Sequence, residues 1–238
     1  MRGLGTIINV LCIIGGGIVG LLAGDHLKDN VQETVMAITG IAVMVLGLGG
    51  AMSQMLTITN GQLSVNGTLM MIVSLALGSA IGEFLKIDQK VQQFGEWLKH
   101  KSNSNGDPYF VTGFVTASCT VCIGAMAIIG SIQDGTTGNF SVLLAKGIID
   151  AIIICIMTST LGKGCIFSAI PVALVQGITT ILAFFIGSLL PTQALNNLSY
   201  VGSILIFCVG LNTIRTKQIR VANTLPAIVI AIIWGFFG

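Results

Sequence analysis

Apolar runs of about 20 residues follow one another from Leu4 to Gly238 with only short interruptions. At a rise of about 1.5 Å per residue, a helix of that length matches the ~30 Å hydrocarbon core of a bilayer. Inside that core every backbone N–H and C=O needs a partner within the protein, so runs of this kind are expected to be helical. Charged residues make up 8% of the chain and hydrophobic ones 53%. That is about a third of the usual charged share, and no soluble fold could cover so much apolar surface. The expected fold is an all-α polytopic membrane helix bundle, with residues 1–238 forming a single transmembrane domain.

Breaking the runs at charge clusters and turn residues predicts helices near 4–23, 35–55, 67–85, 109–132, 140–162, 165–189, 195–213 and 222–238, about eight crossings. The breaks carry turn chemistry: Gly24-Asp25, Asn60-Gly61, Asn105-Gly106-Asp107-Pro108, Asp134-Gly135, Lys163-Gly164, Pro191 and Asn223. The first run lacks a small-residue cleavage site and reads as a retained helix.

Short cytoplasmic loops carry an excess of Lys and Arg. The loops after the first, third, fifth and seventh runs hold Lys28; Lys86, Lys90, Lys99 and Lys101; Lys163; and Arg215, Lys217 and Arg220, nine of the eleven cations. The other side holds Arg2, and Lys146 lies within a run. The expected location is therefore a cell (inner) membrane, with both termini outside the cytoplasm. The polar stretch 86–101 spaces Ile87, Val91, Phe94 and Leu98 at four, three and four residues, the signature of an amphipathic helix on the inner membrane surface or in a solvated loop.

Two self-matches bear on architecture. At an offset of 163, Gly24, Leu27, Gly47 and Leu48 meet Gly187, Leu190, Gly210 and Leu211, which would relate the first helix pair to the sixth and seventh as an inverted internal repeat. A parallel match sets Gly5-Thr6, Gly16 and Gly20 against Gly67-Thr68, Gly78 and Gly82.

An ionisable side chain at helix centre costs about 2.5–3.5 kcal/mol on insertion scales. Asp150 lies mid-run, and Lys146 precedes it by one turn on the same face. The pair is either an ion- or proton-responsive site or a self-neutralising structural contact. The fourth run and its exit, over 116–135, are rich in small polar residues, including Ser118, Cys119, Cys122 and Gly124, and reach Gln133-Asp134. Such a run either packs tightly or breaks to expose backbone to a polar path. Asn9, Gln54, Gln176 and Asn212 are amides that bond between helices or line a cavity, and Glu83 sits near an aqueous boundary.

Cys119 and Cys122 share a helical face, but zinc or redox chemistry needs further ligands, and His26 and His100 fall in loops. No metal or cofactor is expected, and a net charge of +2 gives no reason to invoke nucleic acid. Motifs for nucleophilic catalysis are absent, so an enzyme is not expected.

Together, Gly5-Thr6-Ile7-Ile8-Asn9, Gly124-Ala125-Met126-Ala127, Gly130 to Gly135, Leu144-Ala145-Lys146 with Asp150, Thr160-Leu161-Gly162, Phe167 to Pro171 and Gln176-Gly177 resemble a bacterial inner-membrane family. It is the group called domain of unknown function 554, the YdfK/YqgA-like proteins. The resemblance implies a fold and a set of residues, Gln133, Asp134, Gly135, Lys146 and Asp150, without implying an activity. The expected function is a secondary transporter or channel-like permease for a small ion or metabolite, working in the lipid bilayer. The rivals are a membrane scaffold that self-associates through glycine-rich faces and an intramembrane enzyme pairing Cys122 with Asp150.

Overall fold

The computed structural model describes residues 2–24, 29–59, 61–122, 125–186, 191–214 and 219–237. The chain forms α1 (Leu4–Gly24), α2 (Asp29–Met55), a hairpin of β1 (Leu56–Thr59) and β2 (Gln62–Val65), then α3 (Thr68–Leu85) and α4 (Ile87–Lys101). It continues as α5 (Phe110–Cys122), α6 (Ala125–Thr137), α7 (Ser141–Leu161), a 3-10 segment Lys163–Ser168, α8 (Ala169–Ile186) and α9 (Thr192–Ile214). A second 3-10 turn, Val221–Thr224, leads into α10 (Pro226–Trp234).

The chain is an all-α membrane bundle. Among the described residues five helices are long and apolar enough to cross a bilayer, or six if α5 and α6 count as one bent span. The expected run 35–55 lies within the 27-residue α2, and the run 222–238 corresponds to a shorter apolar stretch, Val221–Trp234. Polar residues occupy the start of α2, and Pro226 at the first turn of α10 confines that helix to the far side of a 3-10 turn. The fourth run is two helices whose axes differ by 60°. The hairpin was foreshadowed only by its turn: Asn60-Gly61 lies between the paired Thr59 and Gln62, and Gly61 has φ +76°, a backbone region that glycine enters without strain.

Surface and interior are reversed relative to a soluble helix. On α1, Ile7, Leu11, Ile18 and Leu22 are exposed, whereas Gly5, Asn9, Gly17 and Gly20 are buried. Large apolar residues outward and small or polar ones inward is the arrangement a lipid solvent selects.

Contacts divide the chain into two compact units. The first holds α1, α4 from Val91 on, α5, α6 from Met126, α7 and α8. Its spine is α1 packed along α7: a Cβ on Gly16 or Gly20 would collide with the carbonyl oxygen of Ala151 or Cys155, and one on Gly24 would lie 2.8 Å from that of Ser159. Contacts that advance together along both chains mean the helices run parallel. The Thr6 and Thr180 hydroxyls, 3.4 Å apart, and the approach of Gly17 to Ile166 set α8 antiparallel to α1. A core of Ile13, Ala117, Val121, Ile154, Leu161 and Val172 fills the centre. The expected amphipathic stretch is helix α4, which packs through Leu98 and Gly95 onto Phe110 and Phe114.

The second unit holds α2 from Gly40, the hairpin, α3, α9 and α10. Gly78 and Gly82 lie against Ala227 and Asn223, so α3 and α10 are antiparallel. Between α2 and α9, Gly47 meets Ser203 and Phe207, while Gly210 meets Gly40 and Met44. At one end of this unit Glu83 bonds both Arg220 and the Asn223 amide, and Asn223 Oδ1 accepts from the Asp88 N–H. This ties α3, the start of α4 and the second 3-10 turn together.

Candidate functional site: a buried ion pair beside an interrupted helix

Lys146 and Asp150 are one turn apart on α7 and form a direct ion pair. Their side chains are 7% and 6% exposed, so each ion is held far from water and depends on its partner. The ammonium also donates to the carbonyl oxygen of Val121 at 2.8 Å. Val121 is the penultimate residue of α5, beside the 60° bend between α5 and α6. A cation there also complements the negative pole of the α5 dipole. The bend of the fourth run and the charge on α7 thus lie together.

Two amides join this region. Asn9 on α1 packs on α7, with its Cα 3.2 Å from where a Cβ on Gly147 would be, and its carboxamide comes close to Asp150. Neither Asn9 nor Gln176 completes a hydrogen bond through its side-chain oxygen or nitrogen, although they are 0% and 1% exposed. The antiparallel register of α1 and α8 puts Gln176 level with the turn that holds Asn9. Leaving such groups unbonded costs about 1–3 kcal/mol each, so the unit carries polar capacity at its centre that its own fold does not use.

The other expected residues divide between this site and elsewhere. Ser118 and Cys119 are buried in the last turns of α5, the Ser118 hydroxyl without a partner. Cys122 ends that helix within electrostatic reach of Lys146 and Asp150, and neither cysteine is in a disulfide. Gly124 lies outside the described residues. Asp134 plays a different part. Fully buried, it accepts the backbone N–H groups of Gly3 at 3.1 Å and Gly5 at 2.9 Å. A carboxylate on α6 thereby caps the start of α1. Gln133 is half-buried on α6, and its carbonyl receives the Thr137 hydroxyl. Asn212 closes the end of α9 through paired bonds to Ile219.

The family model described as protein of unknown function (DUF554) matches residues 4–236. The chain belongs to this family. Two DUF554 relatives span nearly the same length. The uncharacterized membrane protein YdfK of Bacillus subtilis (strain 168) is 30% identical over 226 residues, covering 95% of this chain and 93% of its own. The uncharacterized protein YqgA of Escherichia coli (strain K12) is 25% identical over 232 residues, covering 96% and 94%. No solved structure matches the chain significantly. The DUF554 assignment agrees with the resemblance noted on the Gly124–Gly135 and Lys146–Asp150 segments, and a membrane protein among the relatives accords with the lipid-facing surface.

Reasoning from the sequence did not single out Asp107, Thr158 or the bond between Asn223 and Glu83. Asp107 stands in a turn motif and reads as punctuation. Thr158 is one hydroxyl among many in an apolar run.

Proposed function

We propose that the chain is a secondary transporter or channel-like permease for a small ion or small metabolite. The observation that carries this reading is the buried Lys146–Asp150 pair at the carbonyl end of α5. A pair retained only for packing could be exchanged for apolar residues at little cost. A pair bound to the end of an interrupted helix, beside amides with spare hydrogen-bonding capacity, has the chemistry of a coupling site. Uptake of a proton or cation by Asp150 would release Lys146 and with it the end of α5. Asn9 and Gln176 would then offer donors and acceptors to a polar solute. A ligand that favours one arrangement over the other shifts the bundle between them by its difference in affinity.

Helix directions support an eight-pass scheme with both termini on the same side, and the Lys and Arg distribution is what sets that side outside. That scheme requires the first and fifth runs to be parallel, and the pairs of first with sixth, second with seventh and third with eighth to be antiparallel. The glycine contacts of α1 with α7, α2 with α9 and α3 with α10, and the Thr6–Thr180 contact, have those senses. An inverted repeat draws support from the α2–α9 contact. Ser203 and Phe207, which meet Gly47, are the offset-163 counterparts of Gly40 and Met44, which meet Gly210. A reporter fused at Gly238 that worked only in the cytoplasm would overturn the orientation.

The test of function is flux. Proteoliposomes containing a pH-sensitive dye are challenged with a panel of small ions and metabolites, with wild type and Asp150→Asn compared at equal protein. Substrate-dependent flux in the wild type, lost in the variant, is expected. Equal flux in both removes the carboxylate from the mechanism.

A further inference from the structure

A second polar feature of the first unit lies one helix-length away from Asn9, where α1 and α7 end. Because these helices run parallel, their C-terminal poles lie side by side, Gly24 against Ser159. Each pole carries about half a negative charge, and parallel neighbours add where antiparallel ones cancel. Neither helix has a basic residue in its last turn. Asp107 adds a full charge. Its Oδ1 accepts the Tyr109 N–H at 2.9 Å, and its Oδ2 lies over Gly162, where a Cβ would be 2.8 Å away. Gly162 has φ +77°, so both its conformation and this approach favour the absence of a side chain.

These groups border an open cavity of about 190 Å³ lined by Leu21, Gly24, Asp107, Tyr109 and residues 158–162. Thr158, 2% exposed, is among the lining residues, and its buried hydroxyl lies beside the Cys165 thiol. Ser159 and Thr160 donate their protons back to the carbonyls of Ile156 and Met157, leaving oxygen lone pairs as what they can offer. Lys163, the next residue along, is exposed.

We propose that this cavity is a binding site for a monovalent alkali cation, held by the Asp107 carboxylate and by oxygen atoms of residues 158–162. A carboxylate, hydroxyls and helix-end carbonyls are hard oxygen donors. One carboxylate balances one positive charge, whereas divalent calcium draws six to eight oxygens, usually from several carboxylates. The volume has room for several waters, so the cation keeps part of its hydration shell. The site stands apart from the Lys146–Asp150 pair and holds whether or not the bundle transports.

Thermal unfolding of the purified full-length protein in detergent, titrated with sodium chloride against choline chloride at constant ionic strength, tests it. A ligand that binds only the folded form raises Tm with concentration. Sodium is expected to raise Tm where choline does not. Asp107→Asn, which keeps the acceptor for Tyr109, lowers the apparent sodium affinity by roughly tenfold or more, the effect of one lost charge-assisted contact. Thr158→Val leaves the sodium-free Tm unchanged or higher and flattens the sodium response, which a purely structural hydroxyl would not do. Asp150→Asn keeps the response. Equal effects of sodium and choline, or an undiminished response in Asp107→Asn, overturn the site. Loss of the response in Asp150→Asn alone assigns the cation to the ion pair instead, and saturation by calcium far below the sodium concentration overturns the monovalent assignment.

Discussion

Replacing Lys146 by Met and Asp150 by Leu, singly and together, separates what the buried pair does for the fold from what it does for function. Both side chains are almost fully enclosed, so removing one partner strands the other's charge, at a cost of about 3–5 kcal/mol. Lys146→Met also removes the bond to the Val121 carbonyl, a further ~1.5–3 kcal/mol for a hydrogen bond to a charged group. The double variant leaves no charge behind but still lacks the bond to the Val121 carbonyl. A neutral or favourable exchange of the pair offset by that loss is expected to leave it within about 3 kcal/mol of wild type. The coupling between the two positions therefore exceeds the ~0.5–3 kcal/mol seen for most contacting residues. The folded fraction of purified protein is measured against the mole fraction of dodecyl sulfate in mixed micelles, with flux measured in parallel. A folded but inactive double variant is expected. Single variants each within about 1 kcal/mol of wild type, as for an exposed pair, would refute the energetic argument, and wild-type flux in the double variant would refute the functional one.

The glycine seam gives a positional test: Gly20→Val forces α1 off the Cys155 carbonyl and should abolish the folded monomer peak in size-exclusion chromatography. Gly15→Ala, where a Cβ meets nothing within 4 Å, should leave that peak unchanged. Asp134→Ala removes both acceptors for Gly3 and Gly5 and should destabilise by about 1–2 kcal/mol, the range for losing a helix cap; Asp134→Asn, which keeps one acceptor, should lose less in the same micelle titration.

The membrane character and most helix positions could be read from the sequence because both follow from local apolar periodicity. The pairing of Lys146 with Asp150 was equally legible, since a spacing of one turn fixes it within a single helix. What α7 packs against was not. Gly16 and Gly20 announce a close approach but not its partner, and glycines are numerous enough in this chain that the partner emerges only in three dimensions. Asp134 shows the same limit. A carboxylate at the end of a polar run looks like part of a path, yet the backbone donors it satisfies lie 131 and 129 residues away. The expected run 222–238 forms a shorter α-helix for a local reason: hydropathy windows do not register that Pro226 and a 3-10 turn shorten it.

The contact between α1 and α7 has a mechanical consequence. Along Gly16, Gly20 and Gly24, where glycine meets the main-chain carbonyls of Ala151, Cys155 and Ser159, no side chain stands between the helices to change rotamer and let one slide past its neighbour. The two helices form one stiff beam about 30 Å long, so α1 cannot stay still while α7 carries its charges elsewhere. A fluorophore attached at exposed Leu11 or Ile18 would thus register displacement of Asp150 in real time, from a face that touches neither the ion pair nor the amides around it.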